Sequence, residues 1–247
     1  MNIYLAGSGG LFDVYNSGNE KLFDGANILQ SFYYADDFTS KVIIPNCKRF
    51  MLDSGAYSFM EGKQTKDFNE YAERYCRFVM DNNVELFFEL DLDRIIGVEE
   101  TKKLRQSIIK KTGKMPICVW HRERGKEGFI EMCKEYPYVA ISGREYQGKN
   151  KKYVEMFPWF IDTAHRYGAK IHGLGYTSLP GLTKYHFDSV DSATWVTGNR
   201  FGHIFKFDGK TMQRVHKPPN TRAKSSKMVV NNFIEWKKFC KYAETKL

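Results

Sequence analysis

No segment of the 247-residue chain offers the ~18 consecutive apolar residues that a membrane-spanning helix needs. The opening MNIYLAGSGG lacks the basic stretch and long apolar run of a secretory signal. Cysteine is sparse: Cys47, Cys76, Cys118, Cys133 and Cys240 are odd in number, widely scattered and form no C-x-x-C pair. This spacing excludes a disulfide framework and a cysteine zinc site, and a reducing cytoplasm is the expected compartment. Histidine is equally dispersed, with His121, His165, His172, His186, His203 and His216 each isolated. Metal-dependent barrel hydrolases generally cluster their ligands, so neither a metal nor another cofactor is expected. Internal repeats and low-complexity tracts are also missing.

What the chain does have is core-forming material. Hydrophobic residues make up 42% of it and aromatics 15%, which excludes a disordered chain. Its length suits one barrel-sized domain spanning 1–247, since such barrels need about 250 residues. Lysine and arginine outnumber aspartate and glutamate 38 to 29, a net charge of +9. That excess suits a polyanionic partner, although charge argues for association and not for fold.

Short apolar, β-rich runs alternate with longer amphipathic segments, the pattern of a parallel sheet covered by helices. Strands are predicted at 3–6, 50–53, 86–91, 117–121, 138–142, 170–174, 187–191 and 204–207, and helices at 66–80, 99–111, 126–135 and 151–167. A last helix at 227–244 places Val229, Val230, Phe233, Trp236 and Phe239 near helical spacing, for packing on the outside. Eight strands in βα order predict an α/β fold of the (β/α)8 TIM-barrel type.

The strand ends carry the functional signal. Runs finish in LDSGAYS, ELDLD, VWHRE, ISGRE, HGLGYTS and FDSVDSATW, and the C-terminal strand ends of a parallel barrel form its active-site face. Asp53 opens Asp-Ser-Gly, which is also the pattern of an Asx-turn or a helix N-cap. Glu89, Asp91 and Asp93 alternate and are predicted to face the barrel mouth together, unless Asp93 pairs with Arg94 at the rim. Asp188 and Asp191 are three apart, so only one can point inward, and Asp191, nearer the strand end, is the better nucleophile. His121 ends an apolar run as a base-contacting donor, a general acid/base or a structural histidine. His172 precedes Gly173-Leu174-Gly175, either a close approach for a flat ligand or a tight turn. GSGG at 7–10 fits a phosphate cradle or a flexible βα turn.

At these residues the chain resembles the tRNA-guanine transglycosylase superfamily, especially its shorter phage-type relatives that act on DNA. The likeness runs in order over about 49–209. Asp53-Ser-Gly-Ala-Tyr is similar to the family's Asp-Ser-Gly-Gly-Phe/Tyr, whose aspartate supports the base and reaction centre. Asp91 falls where the family has a base-recognising aspartate, and His121 stands in the place of a base-contacting glutamine. Ser142-Gly143 resembles a Gly-Gly lining the base pocket, and Gly173-Leu174-Gly175 the family's Gly-Val-Gly. Asp188-Ser-Val-Asp191-Ser is similar to Asp-x-Phe-Asp-Cys, whose second aspartate is the nucleophile. Arg200 through Gly209 shares the spacing Arg-x-Gly-x-x-Phe-x-x-Asp-Gly. The Cys-x-Cys-x-x-Cys…His zinc subdomain of the tRNA enzymes has no counterpart, which favours DNA over tRNA as substrate.

The resemblance implies cleavage of an N-glycosidic bond, with Asp191 as nucleophile and Asp53 as acid/base. Asp91, Asp93, His121, Ser142, Gly143, Gly173, Gly175, Asp188 and Arg200 would contact base or substrate. The expected outcome is base exchange that installs a modified purine such as a 7-deazaguanine, with the free base as co-substrate. Two alternatives are a glycosylase that excises a modified base from phage DNA in antiviral defence, and a non-catalytic nucleic-acid-binding barrel. Tyr57, Phe59, Tyr146, Tyr176 and Trp195 are candidates to stack on a flipped base. The stretch 206–227 reads as an exposed basic loop, with Lys206, Lys210, Arg214, Lys217, Arg222 and Lys224 available to phosphates.

Overall fold

The computed structural model describes residues 1–18, 20–55, 58, 68–142, 151–216 and 225–247. Its centre is built from eight parallel strands: β1 (Asn2–Ala6), β2 (Asn27–Ser31), β3 (Arg49–Asp53), β4 (Leu86–Phe87), β5 (Cys118–Trp120), β6 (Tyr138–Ser142), β7 (Lys170–Leu174) and β8 (Ser189–Ser192). They neighbour one another in the order β4-β3-β2-β1-β8-β7-β6-β5. A parallel bridge between Phe88 and Ile117 joins the two ends of that order. There the Ile117 amide donates to Phe87 O at 2.7 Å and the Glu89 amide to Ile117 O at 3.0 Å. The sheet therefore closes on itself without an open edge, as an α/β TIM barrel.

Because both faces of such a sheet are covered, its strands read as nearly unbroken apolar runs. Tyr4, Leu29, Met51, Phe88, Ile117, Val119 and Ala140 fill the barrel. Alternate residues such as Ile3, Leu5, Ile28, Val139, Ile141, Ile171 and Val190 pack outward under the helices. Those include α1 (Ser8–Tyr15), α2 (Phe68–Asp81), α3 (Val98–Thr112), α4 (Gly125–Glu135), α5 (Phe157–Arg166), α6 (Thr194–Arg200) and α7 (Ser225–Lys246). In α3, Glu99 and Glu100 sit in the first turn and Lys110 and Lys111 in the last, complementing the helix dipole. Gly113, at φ 67°, ends that helix in the left-handed conformation. The predicted helix at 151–167 is two pieces, Lys151–Glu155 and α5. Pro158 has no amide for the helix ladder and its ring would crowd the preceding turn, so the second piece begins beside it.

One predicted strand needs correction, and one barrel strand was not predicted. The chain at 204–207 is not a barrel strand. It belongs to β9 (His203–Phe207), which pairs antiparallel with β10 (Met212–His216) outside the barrel. Asp208-Gly209 makes the turn: Asp208 Oδ1 accepts the Lys210 and Thr211 amides at 2.9 and 2.8 Å, and Gly209 has φ 99°. Much of the expected basic loop is therefore a hairpin, and 217–224 lies outside the described residues. The missing eighth strand is β2, whose Asn27 and Gln30 interrupt the apolar pattern yet are buried. Asn27 Nδ2 donates to Glu244 Oε1 at 3.0 Å and Ser8 Oγ to Gln30 Oε1 at 3.1 Å, partners invisible in local sequence.

Helix α7 packs on β1, β9 and α6 as expected, with Val229, Phe233, Trp236 and Phe239 buried. Asn232, wholly buried within it, accepts the Phe205 amide at 2.8 Å and donates to Trp195 O at 3.1 Å. Among the described residues no helix is long and apolar enough to cross a membrane.

Candidate active site

The C-terminal strand ends bring three carboxylates together. Asp53 ends β3, Asp191 lies in β8, and Asp91 follows β4 in the loop before α3. All three lie on the C-terminal side of the barrel strands, where the charges of Asp191 and Asp91 both bear on Asp53. Their environments differ, and the differences have identifiable causes.

Asp53 is pushed up to about 6, first by burial and then by the negative charges of Asp191 and Asp91, against the lowering effects of the Gly55 amide and Ser31. Its Oδ2 accepts the Gly55 amide at 3.1 Å, the geometry of an Asx-turn, with Gly55 at φ 76°. The turn expected of Asp53 is present, and the same carboxyl is the one that burial raises. A carboxyl raised in the folded state stabilises the fold fully below its unfolded value, and that contribution is lost as pH rises through the folded value. Unfolding of the wild type, measured against Asp53→Asn from pH 3 to 7.5, should show the wild type losing ground between about pH 4 and about pH 6 and levelling off above that. A difference independent of pH would refute the shift.

Asp191 Oδ1 accepts the Gly175 amide at 2.6 Å and faces His172 Nε2 at 3.2 Å. Gly175 has φ 63°, a left-handed turn that directs its amide back onto the carboxylate. Oδ2 takes no hydrogen bond from the described residues. Asp91 Oδ1 accepts from His121 Nε2 at 2.5 Å. Burial alone would lower His121, but the hydrogen bond and charge of Asp91 outweigh it and raise its pKa. The pair presents a nitrogen-bearing ring beside a carboxyl group, an edge suited to a partner with both donors and acceptors.

Several predicted site residues lie elsewhere. The expected alternation of Glu89, Asp91 and Asp93 into the mouth fails because the strand ends at Phe87, with only a bridge at Phe88. Glu89 points outward and is fully buried, accepting from Arg105 Nε of α3 and from the Val119 amide, each at 2.6 Å. Asp93 does not pair with Arg94: Arg124 holds it in a fork at 2.6 and 2.7 Å. Asp188 lies before β8, at the opposite end of the barrel, where its Oδ2 accepts the Ile171 amide at 2.8 Å and faces His165 at 2.9 Å. There it lines a cavity of about 440 Å³ with Met1, Tyr4, Arg49, Tyr138 and Lys170.

Gly173 faces outward. A Cβ there would come within 3.3 Å of Val190 and 3.4 Å of Phe187, so its smallness serves strand packing and not a ligand. Gly10 has a similar role in the first turn of α1, since a Cβ would approach Trp195 within 2.7 Å. Tyr176 and Trp195 are core residues, 2% and 0% exposed, with Trp195 Nε1 donating to Ala6 O at 2.7 Å. Neither can stack on a base.

Ser142 sits at the end of β6, on the mouth side. Gly143, Tyr57, Phe59, Tyr146, Lys217, Arg222 and Lys224 fall outside the described residues, as does the side chain of Arg200, whose backbone ends α6. Lys206, Lys210 and Arg214 are exposed on the β9–β10 hairpin.

Sequence reasoning noted His172 only for the glycines that follow it and gave its side chain no role. It is completely buried in mid-strand and touches Asp191, with Ser189 Oγ 2.5 Å from its Nδ1. Its signal was a histidine inside an apolar run, where only a partnered polar group is tolerated. Among the described residues no group of three or more His, Cys, Asp or Glu side chains could hold a metal ion.

No family model matches the chain, and no curated protein does. Solved structures do share its fold. A Coccidioides immitis protein assigned as a fructose-1,6-biphosphate aldolase superposes with TM-score 0.58 at 11% identity, over 98% of this chain and 89% of that one. N-acetylneuraminate lyase from Fusobacterium nucleatum gives 0.51 at 12% identity, over 99% of this chain and 76% of that one. At such identities the likeness establishes the TIM-barrel class and nothing about chemistry.

Proposed function

We propose that this protein cleaves an N-glycosidic bond in DNA through a covalent intermediate on Asp191 and exchanges the base for a modified purine. The supporting observation is the meeting of three carboxylates in one mouth with unlike environments: a raised Asp53, an Asp91 paired to a raised His121, and an Asp191 held by one amide and one imidazole. Pairs of acids driven apart in this way are how one site supplies both a proton donor and an anionic nucleophile.

In the proposed first step Asp191 Oδ2 attacks C1′ as the C1′–N bond breaks. The bonding electron pair leaves with the base, and Asp53 gives the base its proton. Asp91 and His121 hold the base edge. In the second step the ring nitrogen of an incoming base attacks C1′ and gives its proton to Asp53. The ester bond breaks and its electron pair returns to Asp191. The target must first be flipped from the stack, at a cost of a few kcal/mol. The exposed cations Lys206, Lys210 and Arg214 lie on a hairpin that offers a surface to phosphates.

The deciding experiment incubates pure protein with modified and unmodified phage DNA, without free base, and assays released base and abasic sites. Labelled deazaguanine is then added. Incorporation of label supports exchange; release without an acceptor replaces exchange by hydrolysis; neither outcome on any DNA refutes the reading. Binding should also fall steeply with salt. Lys206→Ala and Arg214→Ala should each reduce the slope of log K against log salt by about 1. An unchanged slope in both variants would remove the hairpin from the interface.

A further inference from the structure

A hydrogen-bonded chain runs up the inside of the barrel from its far end to Asp191. Tyr138, which lines the cavity at the N-terminal end, has its hydroxyl 2.5 Å from Ser189 Oγ. Ser189 Oγ is 2.5 Å from His172 Nδ1, and His172 Nε2 is 3.2 Å from Asp191 Oδ1. Ser189 and His172 are both 0% exposed. The interior around them is otherwise apolar, with Tyr4, Leu29, Met51, Phe88, Val119 and Ala140 as the filling. The Phe88 ring meets the imidazole edge-on at 5.3 Å, and Tyr4 lies tilted at 6.4 Å. Packed on both sides and bonded at both nitrogens, the ring has one orientation.

An ionised Asp191 beside a neutral His172 gives the chain one direction. An ionised carboxylate only accepts, so Nε2 must carry the proton that faces Asp191. With the imidazole taken as neutral, Nδ1 is the acceptor and the Ser189 hydroxyl donates to it. Ser189 Oγ in turn accepts from the Tyr138 hydroxyl. Every donor in the chain points toward Asp191, and in so apolar a setting each bond polarises the next. Loss of any one member would leave a buried polar group unpaired, so the chain acts as a unit.

We propose that His172 is a positioning residue, held by Ser189 and Tyr138, that fixes the Asp191 carboxylate so that Oδ2 remains the reactive oxygen. The role in catalysis rests on the N-glycosidic reading above; the direction of the relay does not. It assigns a function to three residues placed away from the base, of which His172 and Ser189 lie within strand-end motifs that give them no role.

Two measurements test it. The first is the ¹⁵N spectrum of the His172 imidazole in the intact protein, which should show Nε2 protonated and Nδ1 not. The Nε2–H signal should move in Asp191→Asn and the Nδ1 signal in Ser189→Ala. Protonation at Nδ1 in the wild type would reverse the relay and overturn the proposal.

The second compares His172→Asn with His172→Gln, because a glutamine amide reaches about where Nε2 lies and an asparagine amide only to Nδ1. In single-turnover base release or exchange, His172→Asn should slow the reaction roughly 10- to 100-fold, by analogy with partners that orient metal ligands, while KM stays near wild type. His172→Gln should recover most of that loss. Thermal unfolding of both variants controls for folding, and Ser189→Ala, the smaller change, should give an intermediate rate. Equal rates for Asn and wild type, or equal losses for Asn and Gln, would reduce His172 to a core residue. If wild-type protein acts on no DNA at all, the functional reading fails, while the imidazole spectrum still decides the relay.

Discussion

Asp191→Asn is expected to abolish base release and exchange, with a loss of at least ~10³-fold, while affinity for the same DNA stays within about twofold of wild type. Its Oδ1 is bound by the Gly175 amide and the His172 ring, so an asparagine can present its carbonyl oxygen to both and leave the fold undisturbed. What it lacks is the negative charge that stabilises or captures an oxocarbenium-like sugar. The covalent step adds a second readout: wild-type protein should form a denaturation-resistant adduct with DNA in the absence of an acceptor base, and Asp191→Asn should form none. Retained turnover in this variant would remove Asp191 from the chemistry. Undiminished biological function with no turnover in either protein would favour a non-catalytic DNA-binding barrel.

The largest effect on stability is expected far from that carboxylate, at Arg105. Glu89 is 0% exposed and the Arg105 side chain 4%, with Nη2 2.6 Å from Glu89 Oε2. Burial raises Glu89, and the charges of Arg105 and then Arg124 oppose that rise. Arg124, in turn, forks onto Asp93, so two acids and two guanidinium groups form one network between the barrel wall and α3. Replacing Arg105 by Met keeps much of the volume but leaves Glu89 buried without its main counter-charge. Breaking one partner of such a pair costs about 3–5 kcal/mol. For a protein of this size that is a fall in Tm of roughly 6–20 °C. The double variant Glu89→Leu/Arg105→Met should regain much of the loss, because removing both charges removes the desolvation penalty with them. A Tm for Arg105→Met within ~2 °C of wild type would show that water or Arg124 compensates Glu89 fully.

This network also shows why a sequence pattern misled. Glu89, Asp91 and Asp93 alternate, and on a straight strand alternation means a common face. The strand stops at Phe87, however, and each acid finds a different partner: Arg105, His121 and Arg124. Those partners lie 16, 30 and 31 residues away, so only the closed barrel assigns them. Asp188 and Asp191 give the opposite case. A spacing of three forces them to different faces of a strand, and they lie at opposite ends of the barrel, one near the cavity and one in the mouth.

By itself, the sequence determined the class of fold, because near-continuous apolar runs alternating with amphipathic helices can bury both their faces only as a helix-covered parallel sheet. It also determined where to look, because Asp53, Asp91, His121 and Asp191 end or follow apolar runs on the side where a parallel barrel places its loops. The tertiary structure decided which polar residues share a space. It made Asn27 and Gln30 part of a strand, moved 204–207 into a hairpin, turned Glu89 and Asp93 into structural ions, and brought His172 beneath Asp191. The physical reason is common to all four. Local periodicity reports which side of an element is apolar, whereas a buried polar group is stabilised only by a specific partner, and that partner is fixed by chain closure over long sequence separations.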